Sequence, residues 1–389
     1  MVQAVYLFDG FRLDARERQL WRDDEVVPLR DKVFDTLLLL VEGANRLQTQ
    51  NELIDRLWPN VNVEPNNLQH NISTLRKVFA DTQVEIDTVR GHGYRFVAEV
   101  THRQAAAPPR EQTIHYCRTP DDVCLAWAEL GAGPPLVKAG NWCSHLEIEL
   151  STLGWSHILK SLSAGHRLIR YDARGTGLTD REVPEIGFEQ WVTDLETVVD
   201  AAGLDRFPLL GISQGASVAA AYAARHPERV SSLVLICGLV RGWRVKENPT
   251  LTRHFEALLL LMENGWGQDN PAFRQIFTTA FFPDGSKEVL DAFNELQRQA
   301  TSPQNAARIL SALGDIDLRA ELPAVRAPTL VLHGHNDVVI PFRDGEELAR
   351  RISGSRFVCV DTKSHVPHAN DPIWGRMELE IQDFLASHA

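Results

Sequence analysis

The 389-residue sequence contains no apolar run long enough to cross a membrane. Its longest apolar stretches, Leu37–Val41 and Ala257–Met262, fall far short of the roughly 20 residues that a transmembrane helix needs. The N-terminal segment already carries Asp9 and lacks the continuous apolar core of a secretory signal peptide. These absences exclude a membrane partner, and we expect a soluble, cytoplasmic protein.

Cysteine and positive charge are also scarce. The chain has 5 cysteines, none in a CxxC pair, and scattered thiols in a long chain are typical of a reducing compartment. It holds 40 Lys and Arg against 52 Asp and Glu, a net charge of −12, which excludes a chain-wide basic surface but not a local one. Motifs for zinc proteases, phosphate loops and dinucleotide-binding folds are missing as well. We therefore expect no metal and no cofactor.

What the sequence does contain divides into two parts. Residues 103–112, RQAAAPPREQ, show no hydrophobic period and are typical of a linker. We predict one domain over residues 1–100, a linker over 101–112 and a second domain over 113–389. Each domain is long enough to bury a core of its own.

The first domain has the pattern of four short strands, three helices and a terminal hairpin. Strand patterns open it within Tyr6–Leu29, and helical spacing follows at Lys32–Val41 and Gln50–Leu57. Two strand patterns around a Gly-His-Gly turn close it at Glu85–Phe96. Between them, a third helix is predicted over about Asn66–Phe79, with one buried stripe formed by Leu68, Ile72, Leu75 and Phe79.

The third helix carries no carboxylate from residue 65 to residue 80, although the chain is acidic overall. Amides, hydroxyls and cations are the side chains that contact base edges and phosphates. The predicted outward, DNA-contacting residues of this helix are Asn66, Asn67, Gln69, His70, Asn71, Ser73, Thr74, Arg76 and Lys77. The hairpin adds Arg90, His92 and Arg95. A small helical domain with a solvated polar face is the alternative interpretation of the same pattern.

This order of elements, with the finish TVRGHGYRF at residues 88–96, resembles the DNA-binding domain of response regulators of the OmpR/PhoB type, a winged helix-turn-helix. The resemblance covers about residues 5–98. It implies that the third helix is a recognition helix in the major groove of promoter DNA and that the hairpin is the wing. It also implies a contact of the Trp58–Pro65 turn with RNA polymerase, and a homodimer on paired half-sites.

The second domain alternates short apolar strands with helical patterns, which predicts a mostly parallel sheet covered on both faces. The strand patterns lie at residues 136–138, 168–171, 208–212, 232–236 and 329–333. The helical patterns lie at residues 145–162, 188–202 and 214–225. In such sheets the functional residues follow the carboxyl ends of the strands.

One strand end carries the pattern GxSxG at residues 211–215, between the strand FPLLGI and an alanine-rich helix. In that context the serine, Ser213, sits on a sharp, strained turn that needs small neighbours. Asp337 follows a later strand and His365 lies in a late loop, which completes the chain order Ser, Asp, His. A chance GxSxG and a plain Asp-containing turn are the alternatives.

The motifs GISQG, DARGTGLTD at residues 172–180, HGHNDVVIP and SHVPH resemble the α/β-hydrolase superfamily over residues 113–389. The nearest resemblance is to the hydrolase-like domains that are joined to adenylate cyclases and to winged-helix regulators. It implies that Ser213 is the nucleophile, that His365 is the general base and that Asp337 orients the base. It also implies backbone N–H donors for an oxyanion at Asn141 and Gln214.

Several residues compete with these assignments or depart from the family pattern. His368 competes with His365 as the base, and Asp172 competes with Asp337 as the acid. His333 and His335 flank the acid loop and are interpreted as structural. Alanine replaces the usual histidine two residues before Asn141, and serine replaces the usual glycine before His365. Neither replacement deletes a member of the triad.

A long insertion at about residues 239–322 precedes the strand that leads to Asp337. In the resembled fold a helical cap occupies this place, and the insertion is rich in aromatic and aliphatic residues. We expect most of them to form the core of the cap and a few to line a substrate pocket, with Trp142 and Trp243 among these. The pocket should take a small, mostly apolar ligand with an ester, lactone, thioester or amide-like carbonyl.

The predicted fold is therefore an N-terminal α+β winged helix-turn-helix followed by a C-terminal α/β-hydrolase with a helical cap. The predicted function is a one-component DNA-binding transcriptional regulator whose hydrolase domain binds a small apolar carbonyl ligand and hydrolyses it. One alternative is a serine ester, lactone or peptide hydrolase with an accessory N-terminal domain. Another is a regulator whose hydrolase fold binds a ligand without turnover.

Overall fold

The computed structural model describes residues 4–15, 18–22, 25–58, 65–104, 112–369 and 371–388. The chain divides into two compact units, Met1–Ala107 and Pro108–Ala389. Most of the predicted linker at 101–112 lies outside the described residues, as does the middle of the predicted Trp58–Pro65 turn. Among the described residues, no helix combines the length and the apolarity that a bilayer span requires.

The described part of the first unit contains two small sheets and three helices. Its helices are α1 (Asp31–Glu42), α2 (Gln50–Leu57) and α3 (Pro65–Val78). An antiparallel sheet has the order β4-β3-β2-β1-β8, formed by β1 (Ala4–Phe8), β2 (Phe11–Asp14), β3 (Gln19–Arg22), β4 (Glu25–Val27) and β8 (Thr101–Gln104). A second antiparallel sheet has the order β5-β7-β6, formed by β5 (Gln48–Thr49), β6 (Glu85–Val89) and β7 (Gly93–Val97).

Local signals explain where these helices lie. Thr49 and Glu52 form a capping box at the start of α2, in which each side chain accepts the other residue's backbone N–H. The stripe on α3 is buried, with Leu68 and Leu75 at 0% exposure and Ile72 at 1%. It packs into the same core as Phe8, Phe11, Phe79 and Phe96, whose rings meet mostly edge to face.

The second unit is built around an eight-stranded, mostly parallel sheet with the order β16-β15-β14-β13-β11-β12-β10-β9. The antiparallel edge consists of β9 (Thr113–Arg118) and β10 (Cys124–Leu130). The parallel strands are β11 (Pro135–Lys138), β12 (Arg167–Tyr171), β13 (Phe207–Ile212), β14 (Val230–Ile236), β15 (Thr329–Gly334) and β16 (Arg356–Val360). The central strands are apolar on both faces, as a covered parallel sheet requires. The predicted fold class is confirmed.

Helices cover this sheet and fill the long insertion. Those interleaved with the strands or following them are α4 (Ser156–Ala164), α5 (Phe188–Ala201), α6 (Gln214–Arg225), α11 (Phe342–Arg351) and α12 (Trp374–Ser387). Between β14 and β15 lie α7 (Pro249–Gly265), α8 (Ala272–Phe281), α9 (Lys287–Ala300) and α10 (Pro303–Leu313). These four helices are called the cap below. The predicted boundaries of the cap and of the two domains stay predictions.

The helix predicted over residues 145–162 is not continuous. The structure has a short 3-10 turn at Ile148–Leu150 and starts α4 only at Ser156. The backbone around Leu146 is bonded elsewhere, since its N–H donates to Asp172 (3.1 Å) and its carbonyl accepts from the Arg170 guanidinium. Two buried side chains, Arg170 of β12 and Asp172 directly after it, thus bond to the backbone of this stretch.

Candidate functional sites

Ser213 lies on the turn that joins β13 to α6, with φ 56° and ψ −121°. A residue other than glycine has a strained backbone at positive φ, so the surrounding structure must hold Ser213 in this conformation. The Ser213 N–H donates to the carbonyl of Ile236 at 2.8 Å. A Cβ on Gly211 would lie 2.3 Å from the Gly215 carbonyl oxygen, and one on Gly215 would lie 2.8 Å from that of Gly140. The two glycines of GxSxG are therefore required by close backbone contacts.

Asp337 and His365 form a buried pair. The Nδ1 atom of His365 lies 2.7 Å from Oδ2 of Asp337, and both side chains are fully buried. The other carboxylate oxygen accepts the N–H groups of Val339 (2.8 Å) and Ile340 (3.1 Å). Burial raises the pKa of Asp337, but the His365 ring, His333 and the Ile340 N–H together lower that pKa below its ordinary value. The carboxylate is thus fixed in place and ionised.

The remaining ring nitrogen of His365, Nε2, is buried and has no hydrogen-bond partner among the described residues. Because Nδ1 donates to Asp337, Nε2 carries the lone pair that a general base needs. The His365 ring packs edge-on against Phe281 at 4.9 Å, and Phe281 lines a cavity together with Ser213. Ser213, Asp337 and His365 are called the hydrolase site below. Their catalytic roles stay predictions.

The competing residues are engaged elsewhere. Asp172 is fully buried, and its Oδ2 accepts the N–H groups of Leu146 (3.1 Å) and Leu178 (2.8 Å), so it braces two loops. The backbone carbonyl of His368 accepts the Asp371 N–H, and the His368 ring packs against Phe282 at 6.4 Å. The structure thus brings His365 to Asp337 and leaves His368 outside the pair.

The predicted oxyanion donors belong to two elements in contact. Asn141 follows β11, where its side chain accepts from the Lys138 ammonium and donates to the Trp142 carbonyl (3.2 Å). Gln214 is the first residue of α6, and N–H groups in the first turn of a helix have no intrahelical acceptor. The Gly140 carbonyl lies against the first turn of α6. The role of both N–H groups stays a prediction.

A buried charged cluster beside this loop was not predicted from the sequence. Lys138 and Arg170 lie among Glu149 and Asp172, all nearly inaccessible, and Arg170 donates to Glu149 at 2.6 Å. Burial lowers the pKa of Lys138 to about 8, with Arg170 lowering it further and Glu149 and Asp172 opposing. The available signal was Lys138 and Arg170 within the strands PLVK and RLIRY, since both cations are flanked by apolar residues.

Ser213 lines a cavity of about 280 Å³ under the cap. Trp142 and Trp243 both line it, among side chains that are mostly aliphatic or aromatic. The indole of Trp243 stacks on Phe255 at 5.3 Å, and its N–H donates to the Leu310 carbonyl at 3.2 Å. Most other aromatic residues of the cap pack against each other.

One trio of described side chains is close enough to hold a metal ion. The ligand atoms of Cys237, His333 and Asp337 lie within 4.8 Å of one another and all three residues are buried. Asp337 is already bonded to His365, and the Nε2 atom of His333 lies 2.8 Å from the Ile340 carbonyl. One oxygen of Asp337 and the Nε2 atom of His333 are thus already engaged within the protein.

Helix α3 presents most of its predicted residues to solvent. Asn66, Asn67, Gln69, His70, Ser73, Arg76 and Lys77 are exposed, and Thr74 is half-buried. Six of these, Asn66, Asn67, Gln69, His70, Ser73 and Lys77, are called the recognition face below. Asn71 differs from the expectation, because it is 6% exposed and its amide donates to the Lys32 carbonyl (3.1 Å) and the Thr36 hydroxyl (2.9 Å) of α1. It joins two helices rather than facing outward.

The hairpin β6-β7 is tied to α3 by Arg76. The guanidinium donates to the Ile86 carbonyl (3.0 Å) and to the Thr88 hydroxyl (2.7 Å), so this exposed cation also holds the hairpin. The predicted hairpin residues Arg90, His92 and Arg95 are exposed around a tip at Gly91, where φ is +77°. Arg76 is thus both a candidate DNA contact and a structural tie.

Both units of the chain are similar to known protein families. Residues 142–372 match the family of the alpha/beta hydrolase fold, and residues 24–96 match the family described as transcriptional regulatory protein, C terminal. The AB hydrolase superfamily protein YisY of Bacillus subtilis is 29% identical over 266 residues, 64% of this chain and 92% of that protein. A pimeloyl-[acyl-carrier protein] methyl ester esterase of Nitrosomonas europaea is 29% identical over 254 residues, 62% of this chain and 92% of the esterase.

A solved structure shows the same fold. A hydrolase from Pseudomonas aeruginosa superposes with a TM-score of 0.59 at 24% identity, over 70% of this chain and 98% of that one. The match covers the unit that contains the eight-stranded sheet, and the family match at 24–96 coincides with α1 to α3 and most of the hairpin. The chain therefore belongs to the alpha/beta hydrolase fold family. Its residues 24–96 are similar to the family described as transcriptional regulatory protein, C terminal.

Proposed function

We propose that this chain is a DNA-binding transcriptional regulator whose hydrolase domain binds, and hydrolyses, a small apolar ligand with an ester-like carbonyl. The observation that carries the proposal is the buried Asp337–His365 pair at 2.7 Å, in a chain whose strained Ser213 lines an apolar cavity. The same chain carries a domain of the transcriptional-regulator family. A sensor and its DNA-binding output would thus share one polypeptide.

In the proposed reaction the Ser213 hydroxyl attacks the ligand carbonyl while Nε2 of His365 takes the hydroxyl proton. The ionised Asp337 holds the imidazole and stabilises the imidazolium that forms. The backbone N–H groups of Asn141 and Gln214 would bind the oxyanion. His365 then returns the proton to the leaving group, and water releases the acid from Ser213.

In the proposed DNA complex the recognition face enters the major groove, and Arg90 and Arg95 contact phosphates. Two copies would bind paired half-sites, since one domain offers few cations and phosphate contacts carry most of the non-specific affinity. A contact of the Trp58–Pro65 turn with RNA polymerase is part of the proposal. Residues 59–64 of that turn lie outside the described residues.

A second candidate is a domain that binds its ligand without turnover. It is favoured by one observation, that Nε2 of His365 has no hydrogen-bond partner among the described residues, Ser213 included. Serine–histidine contacts often tighten only when substrate binds, so the observation also fits an active enzyme. Labelling of the serine decides between the two.

The first test is labelling of the full chain with a fluorophosphonate, with Ser213→Ala as the variant. A matched control is Ser217→Ala, which removes a buried serine of α6 whose hydroxyl donates to the Leu239 carbonyl. We expect labelling of the wild type and of Ser217→Ala, and none of Ser213→Ala. Folded wild type that resists labelling would favour the domain without turnover.

The second test is a protection assay of the full chain on the DNA upstream of its own gene, at two salt concentrations. We expect a protected site, weaker at the higher salt, whose protection is lost when Gln69 and Ser73 of the recognition face are both replaced by alanine. Protection that is unchanged in this variant would contradict the assignment of α3. Turnover without any protected site would identify a hydrolase with an accessory domain.

A further inference from the structure

A second pocket, with a volume of about 620 Å³, lies on the surface of the second unit beside α11. Only charged residues line it: Arg241, Arg343, Glu346, Glu347, Arg350 and Arg351. Four guanidinium groups face two carboxylates, so the lining has an excess of positive charge in a chain whose net charge is −12. A cleft with an excess of one sign of charge concentrates ions of the opposite sign. The pocket, called the arginine pocket below, therefore favours anions.

Helix stability accounts for only some of these cations. Arg350 and Arg351 lie in the last turn of α11, where the helix dipole favours positive charge. Arg343 lies in the first turn, where the same dipole disfavours it. The exposed side chain of Arg343 has no ion pair or hydrogen bond to any described residue. A residue that departs from local preference without a local gain is a candidate for binding a ligand.

The two carboxylates of the arginine pocket are shared among the other three arginines. One oxygen of Glu347 accepts from Arg241 at 3.0 Å, and its other oxygen accepts from Arg351 at 3.0 Å. Glu346 pairs with Arg350 at 3.3 Å. A guanidinium has several N–H donors, and the Nε atom of Arg241 is buried without a partner among the described residues. The arginines of the pocket therefore retain unused donors.

Arg241 connects the arginine pocket with the cavity of about 280 Å³ under the cap, which is called the cap cavity below. Of the described residues that line these two spaces, only Arg241 belongs to both. The cap cavity is mostly apolar, and Ser213 also lines it. Its lining includes Lys246 as well, but Asp344 pairs with that ammonium at 2.8 Å. A ligand in the cap cavity that extends along Arg241 would therefore reach the arginine pocket.

The arginine pocket suits a phosphate better than a carboxylate. A phosphate monoester carries about two negative charges near pH 7 and several acceptor oxygens, so it can balance the excess positive charge and bond to more than one guanidinium. The planar guanidinium group also matches phosphate oxygens through two parallel hydrogen bonds. A carboxylate brings a single charge, and the pocket already contains two of them.

We propose that Arg241, Arg343, Arg350 and Arg351 bind the phosphate-bearing head of a ligand whose apolar chain occupies the cap cavity. The ligand is then an acyl ester or thioester of a phosphate-bearing alcohol or thiol. This inference rests on the proposed function, from which it takes the apolar carbonyl ligand, and it adds the chemical class of the head. A head attached through an alcohol and one attached through a thiol present the same phosphate to the arginines.

The test measures binding to the full chain carrying Ser213→Ala, so that no probe is hydrolysed. Two pairs of octanoyl compounds differ only by a phosphate: S-octanoyl-4′-phosphopantetheine with S-octanoylpantetheine, and 1-octanoylglycerol 3-phosphate with 1-octanoylglycerol. Titration calorimetry gives the Kd of each. We expect the phosphorylated member of at least one pair to bind about tenfold more tightly or better, and this preference should shrink as salt screens the charges. The pair with the larger preference shows whether the head is attached through a thiol or an alcohol.

The double change Arg343→Ala and Arg350→Ala removes two guanidinium groups from the arginine pocket. It should reduce the preference for the phosphorylated probe to about threefold or less. The matched control is Arg206→Ala with Arg326→Ala, two exposed arginines outside the pocket that have no ion pair among the described residues, and it should keep the preference. Arg343→Gln alone should lower the preference in the same direction. It should fold, because a cation in the first turn of a helix adds no stability.

Equal affinity for the two members of each pair, or no binding of any probe, would overturn the inference, and fluorophosphonate labelling of Ser213 would still show the proposed hydrolase to be intact. A preference that survives the loss of both Arg343 and Arg350 would also overturn it. If the wild type hydrolyses no probe and Ser213 is not labelled, the proposed turnover fails, whereas a tenfold preference would still support the phosphate site. If the double variant instead loses affinity for the upstream DNA and neither pair shows a preference, the pocket binds DNA phosphates and the inference is wrong.

Discussion

The hydrolase site and the recognition face are built in opposite ways. Asp337 and His365 are fully buried, and the Asp337 carboxylate accepts hydrogen bonds from a ring nitrogen and two backbone N–H groups. The recognition face is exposed along α3, and only the opposite stripe of that helix is fixed in a core. The Asp337–His365 pair is held by hydrogen bonds within the chain, whereas the side chains of the recognition face are free to contact a binding partner.

This difference reflects what each region has to do. A group that transfers a proton must be held within a fraction of an ångström, and burial with satisfied hydrogen bonds achieves that. A face that contacts DNA exchanges water and counterions for base edges and phosphates, so its side chains must reach solvent first. Changes at the two regions should therefore differ in size, in pH dependence and in salt dependence.

The largest effect should come from the nucleophile. Ser213→Ala removes the only atom that forms the covalent intermediate in the proposed mechanism, and we expect kcat for an ester substrate to fall about 10³-fold or more. Alanine keeps the Cβ atom of serine, so the strain of the turn is unchanged and thermal unfolding should change little. Kinetics and a thermal melt of the same preparation measure both.

Because the hydrolase site and the recognition face are separate regions, we expect the Ser213→Ala variant to bind DNA as the wild type does. Protection of the upstream DNA by ligand-free Ser213→Ala should equal that by the wild type. A loss of protection in the folded variant would mean that the hydrolase site contributes directly to DNA binding. The contrast between the two regions would then be wrong.

The second-largest effect should be a loss of folding stability at acid pH, caused by a buried histidine. His157 on α4 lies 3.0 Å from the carbonyl of Pro367, in the loop that follows His365. Burial lowers the pKa of His157 to about 4, with the Pro367 carbonyl opposing and His368 and Lys160 lowering it further. Since an unfolded histidine titrates near 6.5, the unfolded state binds more protons between pH 6.5 and pH 4. Stability is therefore lost as the pH falls through that window, by up to about 3 kcal/mol.

His157→Gln keeps a hydrogen-bond donor for Pro367 but does not titrate. Urea unfolding of the full chain, followed by tryptophan fluorescence at pH 7 and pH 5, should show a smaller loss of stability in the variant than in the wild type. An identical loss in both proteins would show that other groups govern the acid sensitivity.

Much of this architecture was predictable because its signals are local. Ser213 and Asp337 each follow a strand that the sequence marks, and His365 lies in a later loop that completes the chain order Ser, Asp, His. The functional ends of such strands lie at one edge of the sheet. Glu149 and Arg170 were not predictable as a pair, because they are joined across distant segments and only folding brings them together. The fragmented helix near Leu146 has the same cause.

Asn71 shows a different limit of sequence reasoning. It lies three residues after Leu68 and four before Leu75, which places it at the border of the buried stripe rather than opposite to it. The polar side chain of Asn71 was predicted to face solvent. In the structure, however, the Lys32 carbonyl and the Thr36 hydroxyl of α1 accept hydrogen bonds from its amide. An amide can be buried where its hydrogen bonds are satisfied, and helical geometry was the better guide here.

The third effect should distinguish the buried Asn71 from the exposed Gln69 on the same helix. Asn71→Ala removes the donor from the Thr36 hydroxyl and the Lys32 carbonyl, and we expect a loss of about 1–3 kcal/mol in the stability of the first unit. The matched change on the recognition face, Gln69→Ala, should alter stability by less than about 0.5 kcal/mol. It should weaken DNA binding directly. Urea unfolding and DNA titration of both variants test the pair, and an equal stability loss in both would contradict the assignment.

The smallest effect should be that of a single exposed cation. Lys77 lies in the last turn of α3, next to Arg76, which is bonded to the hairpin. If Lys77 contacts only a phosphate, Lys77→Ala should weaken binding to all DNA sequences alike and reduce the slope of log affinity against log salt by about 1. Arg76→Ala should do the same and should also disturb the hairpin, because the Ile86 carbonyl and the Thr88 hydroxyl lose their donor.

Lys77 and Arg76 thus allow an exposed DNA contact to be compared with a residue that also holds the hairpin, within a single turn of α3. Titrations at several salt concentrations, with the protected sequence and with an unrelated one, give both the slope and the discrimination. Lys77→Ala should keep the discrimination between the two sequences, and Arg76→Ala should reduce it because the wing is misplaced. If Lys77→Ala changed discrimination while Arg76→Ala did not, Lys77 would contact bases rather than only a phosphate, and Arg76 would not position the wing.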